Sequence, residues 1–454
     1  MMEGNHANFG SRMGAIFAAA GSAVGLGNIW RFPTEVGNNG GAAFILIYIL
    51  CILIVGIPIM VSEFVIGRHT QSNMIDGFRK LAPGKWWRII GYQGVVVAFI
   101  ILSYYIVVSG WTLYYSYESV AGSLAKNHKY NEYFQNFVSN PWLSILYAVI
   151  FLAIVHVVIS RGVQKGIEKF SKVMMPMLLL IIGILVVCAF SMPGIDEGLR
   201  FLLKPDFSKL TVSVVLSAMG QAFFSLSLAM GCMCTYASYF SPKTKLVSSA
   251  MSVAVIDTIV AVLSGFIIFP AVFSVPGIEA DAGPGLVFIT LPSVFHMAFQ
   301  PVPILGYIFS GLFYILLFLA ALTSAMSLHE SVTAYVHESF GMSRRKASFL
   351  VAVSYMSLGV LCCLSFGPLR DWTVMGLTIF DLFDYVSSKV LLPLGGLLLV
   401  IFTGWYLDRN MVRDEITNHG TISSRVFGVF IFLVRWVVPA AIAIIFIRGI
   451  VEIL

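Results

Sequence analysis

Charge is scarce in this sequence. Lys and Arg number 28 and Asp and Glu 22, together 11% of 454 residues, whereas 58% are hydrophobic. Long apolar runs recur to the end, so the composition is that of an all-α polytopic membrane protein rather than of a soluble core. The short alternating stretches of a transmembrane β-barrel are missing. Cysteines are few: Cys51, Cys188, Cys232, Cys234, Cys362 and Cys363 all fall in or beside apolar runs, and neither close pair has the spacing of a zinc site. The His and Ser residues suggest neither a metal centre nor a nucleophilic triad, which leaves a membrane enzyme without a catalytic constellation and the chain without an organic cofactor. The net charge of +6 is spread over loops and does not indicate nucleic-acid binding. No cleavable leader is evident, because the first apolar stretch is too long for a signal h-region.

The sequence holds about eleven apolar segments, near residues 11–38, 41–67, 89–122, 141–160, 167–190, 211–240, 245–273, 303–338, 346–366, 376–407 and 424–450. The stretch 274–302, with Pro276, Pro284, Pro292 and Pro301, reads as an outer loop carrying short helices. One set of loops is rich in basic residues (Arg68, Arg79 and Lys80; Arg161 and Lys165; Lys243 and Lys245; Arg344 and Arg345; Arg409 and Arg413) and the opposite set is poorer. This asymmetry places the N-terminus in the cytoplasm, and an odd number of spans places the C-terminus outside the plasma (inner) membrane.

Segment 1 is unusual. Its middle reads Gly21-Ser22-Ala23-Val24-Gly25-Leu26-Gly27-Asn28-Ile29-Trp30-Arg31-Phe32-Pro33. Glycines weaken a helix, and an arginine at membrane depth must face protein or a water-filled cavity. A helix that breaks here frees carbonyls on one side and amides on the other, which together suit a cation and a carboxylate. The blander alternative is that Gly21 and Gly25 only let another helix approach. It is not a dinucleotide fingerprint, since no strand precedes it. Segment 6 repeats the oddity around Gly220-Gln221-Ala222-Phe223-Phe224-Ser225-Leu226-Ser227-Leu228-Ala229-Met230-Gly231. Interrupted helices at matching places in two halves point to an inverted-repeat transporter.

Other polar groups are embedded in the spans. Glu63 near the end of segment 2 is either interfacial or an acceptor for the amides of an unwound neighbour. Asp257, mid-way along segment 7, needs a cation or a donor. Thr323 and Ser324 in segment 8 either pack or form part of an oxygen cage for a hard cation. Asp381 and Asp384, on one face of segment 10, are each placed to pair with Arg31, and Tyr105 lies in segment 3.

These residues carry a resemblance. The chain from about Phe9 to the end of segment 10 resembles the neurotransmitter:sodium symporter family, bacterial members of which have the leucine-transporter fold. The motifs are the segment 1 string above, Asn39-Gly40-Gly41, Gln221 to Gly231 followed by Thr235-Tyr236-Ala237-Ser238-Tyr239, and Leu322-Thr323-Ser324. The resemblance implies two five-helix inverted repeats, residues 11–200 and 211–408, with a cytoplasmic stretch 1–10 before them and an additional span in 424–454. It implies one sodium site from the carbonyl of Ala23 with Asn28, Ser225 and Asp257, and a second from the carbonyls of Gly21, Val24 and Ala320 with the hydroxyls of Thr323 and Ser324. The substrate carboxylate would meet the amides of Leu26 and Gly27 and the Tyr105 hydroxyl, and its amino group the carbonyls of Phe224 and Ser227. Tyr105 and Phe224 would form a lid, and Ile101, Met230 and Leu328 would line the side-chain pocket. Arg31 and Asp384, with Gln221 beside them, match an outer gate, and Glu338 matches the acid of an inner gate. Chloride-dependent relatives lack a carboxylate near the first sodium, so Asp257 implies chloride independence.

Three departures stand out. The Arg and Trp that commonly precede the first helix are replaced by Asn5-His6-Ala7-Asn8-Phe9, leaving His6 as a pH-dependent substitute opposite Glu338. Ala229 stands where glycine is common, which would stiffen the break, and the chain has eleven spans where many relatives have twelve. The function implied is a symporter that couples one or two sodium ions to import of hydrophobic or aromatic L-amino acids, in the lipid bilayer and without an assigned oligomeric state. A membrane sensor of the same fold, binding the ligand without transporting it, is the alternative. It would call for a signalling domain, and both tails are short.

Overall fold

A computed structural model gives the structure of residues 8–126, 129–275, 285–299 and 302–451. Among these residues the architecture is helical throughout, with one isolated bridge between Val374 and Leu377. Nine continuous helices are long and apolar enough to cross a membrane: Ala42–Thr70, Arg88–Val120, Pro141–Ser160, Val163–Ala189, Leu246–Phe273, Pro303–Phe340, Arg344–Leu364, Ile379–Tyr406 and Ser424–Ile447. They correspond to segments 2 to 5 and 7 to 11. Segments 1 and 6 are the two interrupted ones. The stretch expected to be an outer loop contains a short helix, Leu286–Ala298, with Pro292 at its middle. Pro276, Pro284 and Pro301 lie outside the described residues.

Segment 1 runs as Arg12–Ala23 and Gly27–Asn38, bent by 53° at the break. Val24 takes an extended conformation (φ −69°, ψ 109°), which ends the first helix, and Ser11 caps its start through the Gly14 amide at 3.0 Å. Segment 6 runs as Val212–Ser225 and Cys232–Ser238, and residues 226–231 leave the helix. Ser227 (φ 52°), Ala229 (φ 62°) and Gly231 (φ 75°) are all left-handed there. This conformation costs a non-glycine residue about 1 kcal/mol or more, so at Ala229 the surroundings must impose it. Glu63 supplies part of that force. Fully buried in segment 2, its carboxyl accepts the Ala229 amide at 2.6 Å and the Cys234 amide at 3.1 Å, holding both sides of the break. Close packing of the same two segments depends on Gly67, where a Cβ would lie 2.1 Å from the Cys234 carbonyl oxygen.

Segment 3 packs along segment 8, and the second half of segment 6 along segment 2. Several residues expected in loops are pulled inward. Arg68, among the basic residues used for orientation, is 4% exposed. It pairs with Glu415 of the short helix Arg409–Ile416 (Nε to Oε2, 2.6 Å) and donates to the Glu415 carbonyl at 2.7 Å and to the Thr244 carbonyl. Arg344 likewise turns onto Glu330 of segment 8, which also accepts the Tyr239 hydroxyl at 2.6 Å. Glu168 anchors the start of segment 1 by accepting the Gly10 amide (2.6 Å) and the Ser11 hydroxyl (2.9 Å).

Two outcomes follow from these ties. Glu63→Ala removes the acceptor of two buried amides, each worth ~1–3 kcal/mol when orphaned, so the thermal midpoint of the purified protein should fall by several degrees; an unchanged midpoint would mean the break holds itself. Glu415 sets a pH limit. Burial alone would push its carboxyl up, but the hydrogen bond from His69 and the Arg68 guanidinium outweigh burial and hold it below its usual value of 4.5. The stabilisation is therefore complete above that usual value and is lost as pH falls through the lower folded value. Thermal midpoints measured on a descending pH series should drop in acid for the native protein, whereas Glu415→Gln should start lower and show a shallower acid slope.

Candidate functional site

The two breaks face each other, and the released backbone groups find partners on segments 2, 3, 7 and 8. Asp257 is fully buried in segment 7. Its Oδ1 accepts the Asn28 side-chain amide at 2.7 Å, its Oδ2 accepts the Ser225 hydroxyl at 2.7 Å, and the Tyr48 hydroxyl lies 3.4 Å from the same oxygen. Asn28 also donates to Ser225 Oγ at 3.2 Å and accepts the Gly25 amide at 2.9 Å. One buried node thus joins the break of segment 1, the end of the first half of segment 6, and segment 7. Ser264, two turns further along segment 7, donates to the Asn28 carbonyl at 2.8 Å.

A second oxygen cluster forms where segment 8 meets segment 1. Ser324 Oγ lies 3.1 Å from the Val24 carbonyl oxygen and 3.3 Å from that of Ser22. Thr323 Oγ1 lies 3.0 Å from the Ala320 carbonyl oxygen and 3.4 Å from that of Val24. Gly21 makes the approach possible, since a Cβ there would sit 3.3 Å from Thr323 Cβ. Neutral oxygens at several points of a compass, without nitrogen or sulfur, are the donor set of a hard cation.

Between the clusters lies a cavity. Segment 1 contributes Ala23, Gly25, Leu26 and Gly27; segment 3 contributes Ile101 and Tyr105; segment 6 contributes Phe224, Ser225, Ser227 and Met230; segment 8 contributes Ser324 and Leu328. The eight residues expected around a substrate are therefore brought together, with Ala23, Ser225 and Ser324 of the expected ion sites beside them. The Leu26 amide points at the Tyr105 hydroxyl, 3.4 Å away. Gly25 is a lining residue that the sequence reading passed over. A Cβ there would come 2.3 Å from Ser324 Oγ, so only glycine leaves room. Tyr48 was also missed. It carries no charge and lies in an apolar run, and its role exists only through contact with Asp257 and Ser225.

Above the cavity, the Arg31 guanidinium lies over the Phe224 ring, 4.5 Å from its centroid. Gln221 Nε2 donates to the Gly27 carbonyl at 3.1 Å. Arg31 is not ion-paired with Asp384 in this structure: Asp384 accepts the Tyr104 hydroxyl at 3.0 Å, and Asp381 accepts the Thr378 hydroxyl at 2.7 Å, at the start of its own helix. Below the cavity, Glu338 accepts from the Asn73 backbone amide (2.9 Å) and side-chain amide (2.7 Å). His6, expected opposite it, lies outside the described residues.

Comparison with known proteins agrees with this arrangement. Residues 6–143 and 141–454 match the model of the sodium:neurotransmitter symporter family. The chain is 39% identical to the uncharacterized sodium-dependent transporter YhdH of Bacillus subtilis, over 99% of this chain and 98% of YhdH. It is 28% identical to a bovine sodium- and chloride-dependent taurine transporter, over 84% of this chain and 68% of that protein. Among solved structures it resembles MhsT, crystallised in complex with L-phenylalanine, with a TM-score of 0.88 and 42% identity over 98% of this chain and 99% of that one. The chain therefore belongs to the sodium:neurotransmitter symporter family, and is a multi-pass sodium-dependent membrane transporter rather than an enzyme.

Proposed function

We propose that this transporter couples sodium to the import of hydrophobic or aromatic L-amino acids and needs no chloride. The observation that carries this reading is the Asp257–Asn28–Ser225 node directly beside the cavity. A zwitterion held at membrane depth needs each charge matched. Carbonyls released by segments 1 and 6, those of Phe224 and Ser227 among them, would serve the ammonium. The amides of Leu26 and Gly27, the Tyr105 hydroxyl and a sodium ion would serve the carboxylate. We assign that ion to the Ala23 carbonyl, Asn28, Ser225 and Asp257. Sodium then becomes obligatory because it completes the substrate's own site. The fixed negative charge of Asp257 takes the place that chloride would otherwise fill. A second ion is assigned to the carbonyls of Gly21, Val24 and Ala320 with the hydroxyls of Thr323 and Ser324, where the hydroxyls would turn their lone pairs inward.

Substrate class follows from the lining. Ile101, Met230, Leu328 and Phe224 present apolar surface with no counter-charge, and MhsT, with which the chain shares its fold, binds L-phenylalanine. Residues 11–200 and 211–408 are read as the two inverted repeats, with the N-terminus cytoplasmic and the C-terminus outside. Arg31 and Asp384 would close the outer path by approaching one another, and Glu338 would take part in closing the inner one.

Proteoliposomes supplied with labelled L-phenylalanine test the coupling. An inward sodium gradient in chloride-free buffer should drive accumulation; a requirement for chloride would remove Asp257 from its role, and saturable binding without accumulation would favour a sensor. Asp257→Asn removes the fixed charge while keeping the shape. Sodium titrations of phenylalanine binding should then show at least a tenfold loss of apparent sodium affinity, and an unchanged curve would rule out the first-site assignment.

A further inference from the structure

Arg435 lies near the centre of the span Ser424–Ile447, where an ionisable side chain calls for an explanation. Its Nε donates to the carbonyl of Gly404 at 2.5 Å. Gly404 stands in the last turn of segment 10, where helix carbonyls have no partner of their own. The approach is close, because a Cβ at Gly404 would lie 3.1 Å from Val434 Cγ1 and 3.2 Å from Arg435 Cγ. Gly404 is two residues from the end of Ile379–Tyr406, so Arg435, though midway along its own helix, packs level with the end of segment 10.

Capping one carbonyl uses one of the five N–H groups of a guanidinium. Arg435 forms no ion pair with any described carboxylate. Asp408, the acid closest to Gly404 in the chain, is engaged in capping the next helix through the amides of Asn410 and Met411. The planar fork instead lies on a ring: its carbon is 5.3 Å from the Trp405 centroid, and Trp405 meets Trp436 edge-on at 5.0 Å. Both tryptophans face outward, 51% and 60% exposed, on two apolar spans. An exposed Trp at a helix end, as Trp405 is in segment 10, is the signature of the headgroup level of a bilayer. A half-buried guanidinium fork on such a ring matches a phosphate in geometry and charge.

We propose that Arg435, with Trp405 and Trp436, binds the phosphate of an anionic phospholipid in the leaflet beside the connection between segments 10 and 11. The rings hold the glycerol and upper acyl region, and the terminal N–H groups of Arg435 take the phosphate oxygens. The exposed Arg409, Arg413 and Arg425 of the adjoining connection add a diffuse attraction that draws anionic lipid towards the seam.

Native mass spectrometry of the full chain in detergent, with phosphatidylglycerol or phosphatidylcholine of matched chains, tests this. The native protein should retain phosphatidylglycerol preferentially. Arg435→Gln keeps a donor for Gly404 but loses the charge, and should lower that preference about fivefold, the scale of one basic contact with an anionic membrane. Arg425→Gln, which removes one of the exposed charges that act only diffusely, should lower it by clearly less than Arg435→Gln does. No preference in the native protein, equal loss in both variants, or displacement of the lipid by inorganic phosphate at millimolar concentration would each overturn the assignment. If Arg435→Gln does not fold, quenching by phospholipids brominated in the upper chain decides: brominated phosphatidylglycerol should quench more than brominated phosphatidylcholine, and the double variant Trp405→Phe, Trp436→Phe should abolish the difference. Its persistence in that double variant would overturn the site.

Discussion

A polypeptide surrounded by lipid must satisfy its own backbone, and here two helices are broken in mid-membrane. Everything near the centre of this protein answers to that constraint. The amides of the segment 6 break are taken by a buried carboxyl, Glu63. The carbonyls of the segment 1 break are met by Ser227, Ser324 and Thr323, and its amides turn to Asn28 and Tyr105. Hardly any of these partners is charged. A neutral hydroxyl that donates to a carbonyl can rotate and present a lone pair, so the groups that satisfy the backbone are also groups a sodium ion can recruit. Stability and ion binding therefore draw on one set of atoms.

Asp257 is the exception that sets the electrostatics. A buried carboxyl with two close donors and a tyrosine hydroxyl nearby is well solvated by protein, yet none of the three supplies a full positive charge. Leaving a buried charge without a partner is expensive, which is the reason for proposing a small cation beside Asp257. The neighbouring cavity is apolar on its segment 3 and segment 8 sides and polar along the breaks. That asymmetry would orient the zwitterion we propose: backbone and carboxylate towards the breaks, side chain towards Ile101 and Leu328.

The helical class and the two breaks were legible in the sequence because each left a mark that composition cannot hide, whereas the lining of the cavity came only from the family resemblance. Gly21, Gly25, Gly27, Asn28 and Arg31 interrupt an apolar run, and Asp257 stands alone in another. Tyr48 and Gly25 were not legible as site residues, since a tyrosine in an apolar run and one glycine among several have no distinguishing local signal. Loop cations misled in a different way. Arg68 and Arg344 count towards the basic loops, but the chain folds Glu415 and Glu330 onto them, and such pairs have no period to detect. The outer gate shows the limit of matching residues one by one. Arg31 and Asp384 are both present and near the same opening, but whether they touch depends on the conformation, and here Phe224 and Tyr104 hold them instead.

Arg31 and Arg435 then have something in common. Each is a guanidinium in or beside an apolar span, each lies on an aromatic face, and neither is ion-paired with a described carboxylate. A ring stabilises a cation by about 0.5–2 kcal/mol without fixing it as a salt bridge does, and without neutralising it. The arrangement keeps a positive charge desolvated in part and still available. For Arg31 the proposed partner is Asp384, within the protein, which would suit a contact that forms and breaks. For Arg435 the acid closest to Gly404 in the chain, Asp408, caps its own helix and the Trp405 ring faces outward, so the counter-charge we propose is that of the bilayer. The same device would then serve motion at the mouth of the cavity and attachment at the edge of the fold, the difference being set by where the negative charge lies.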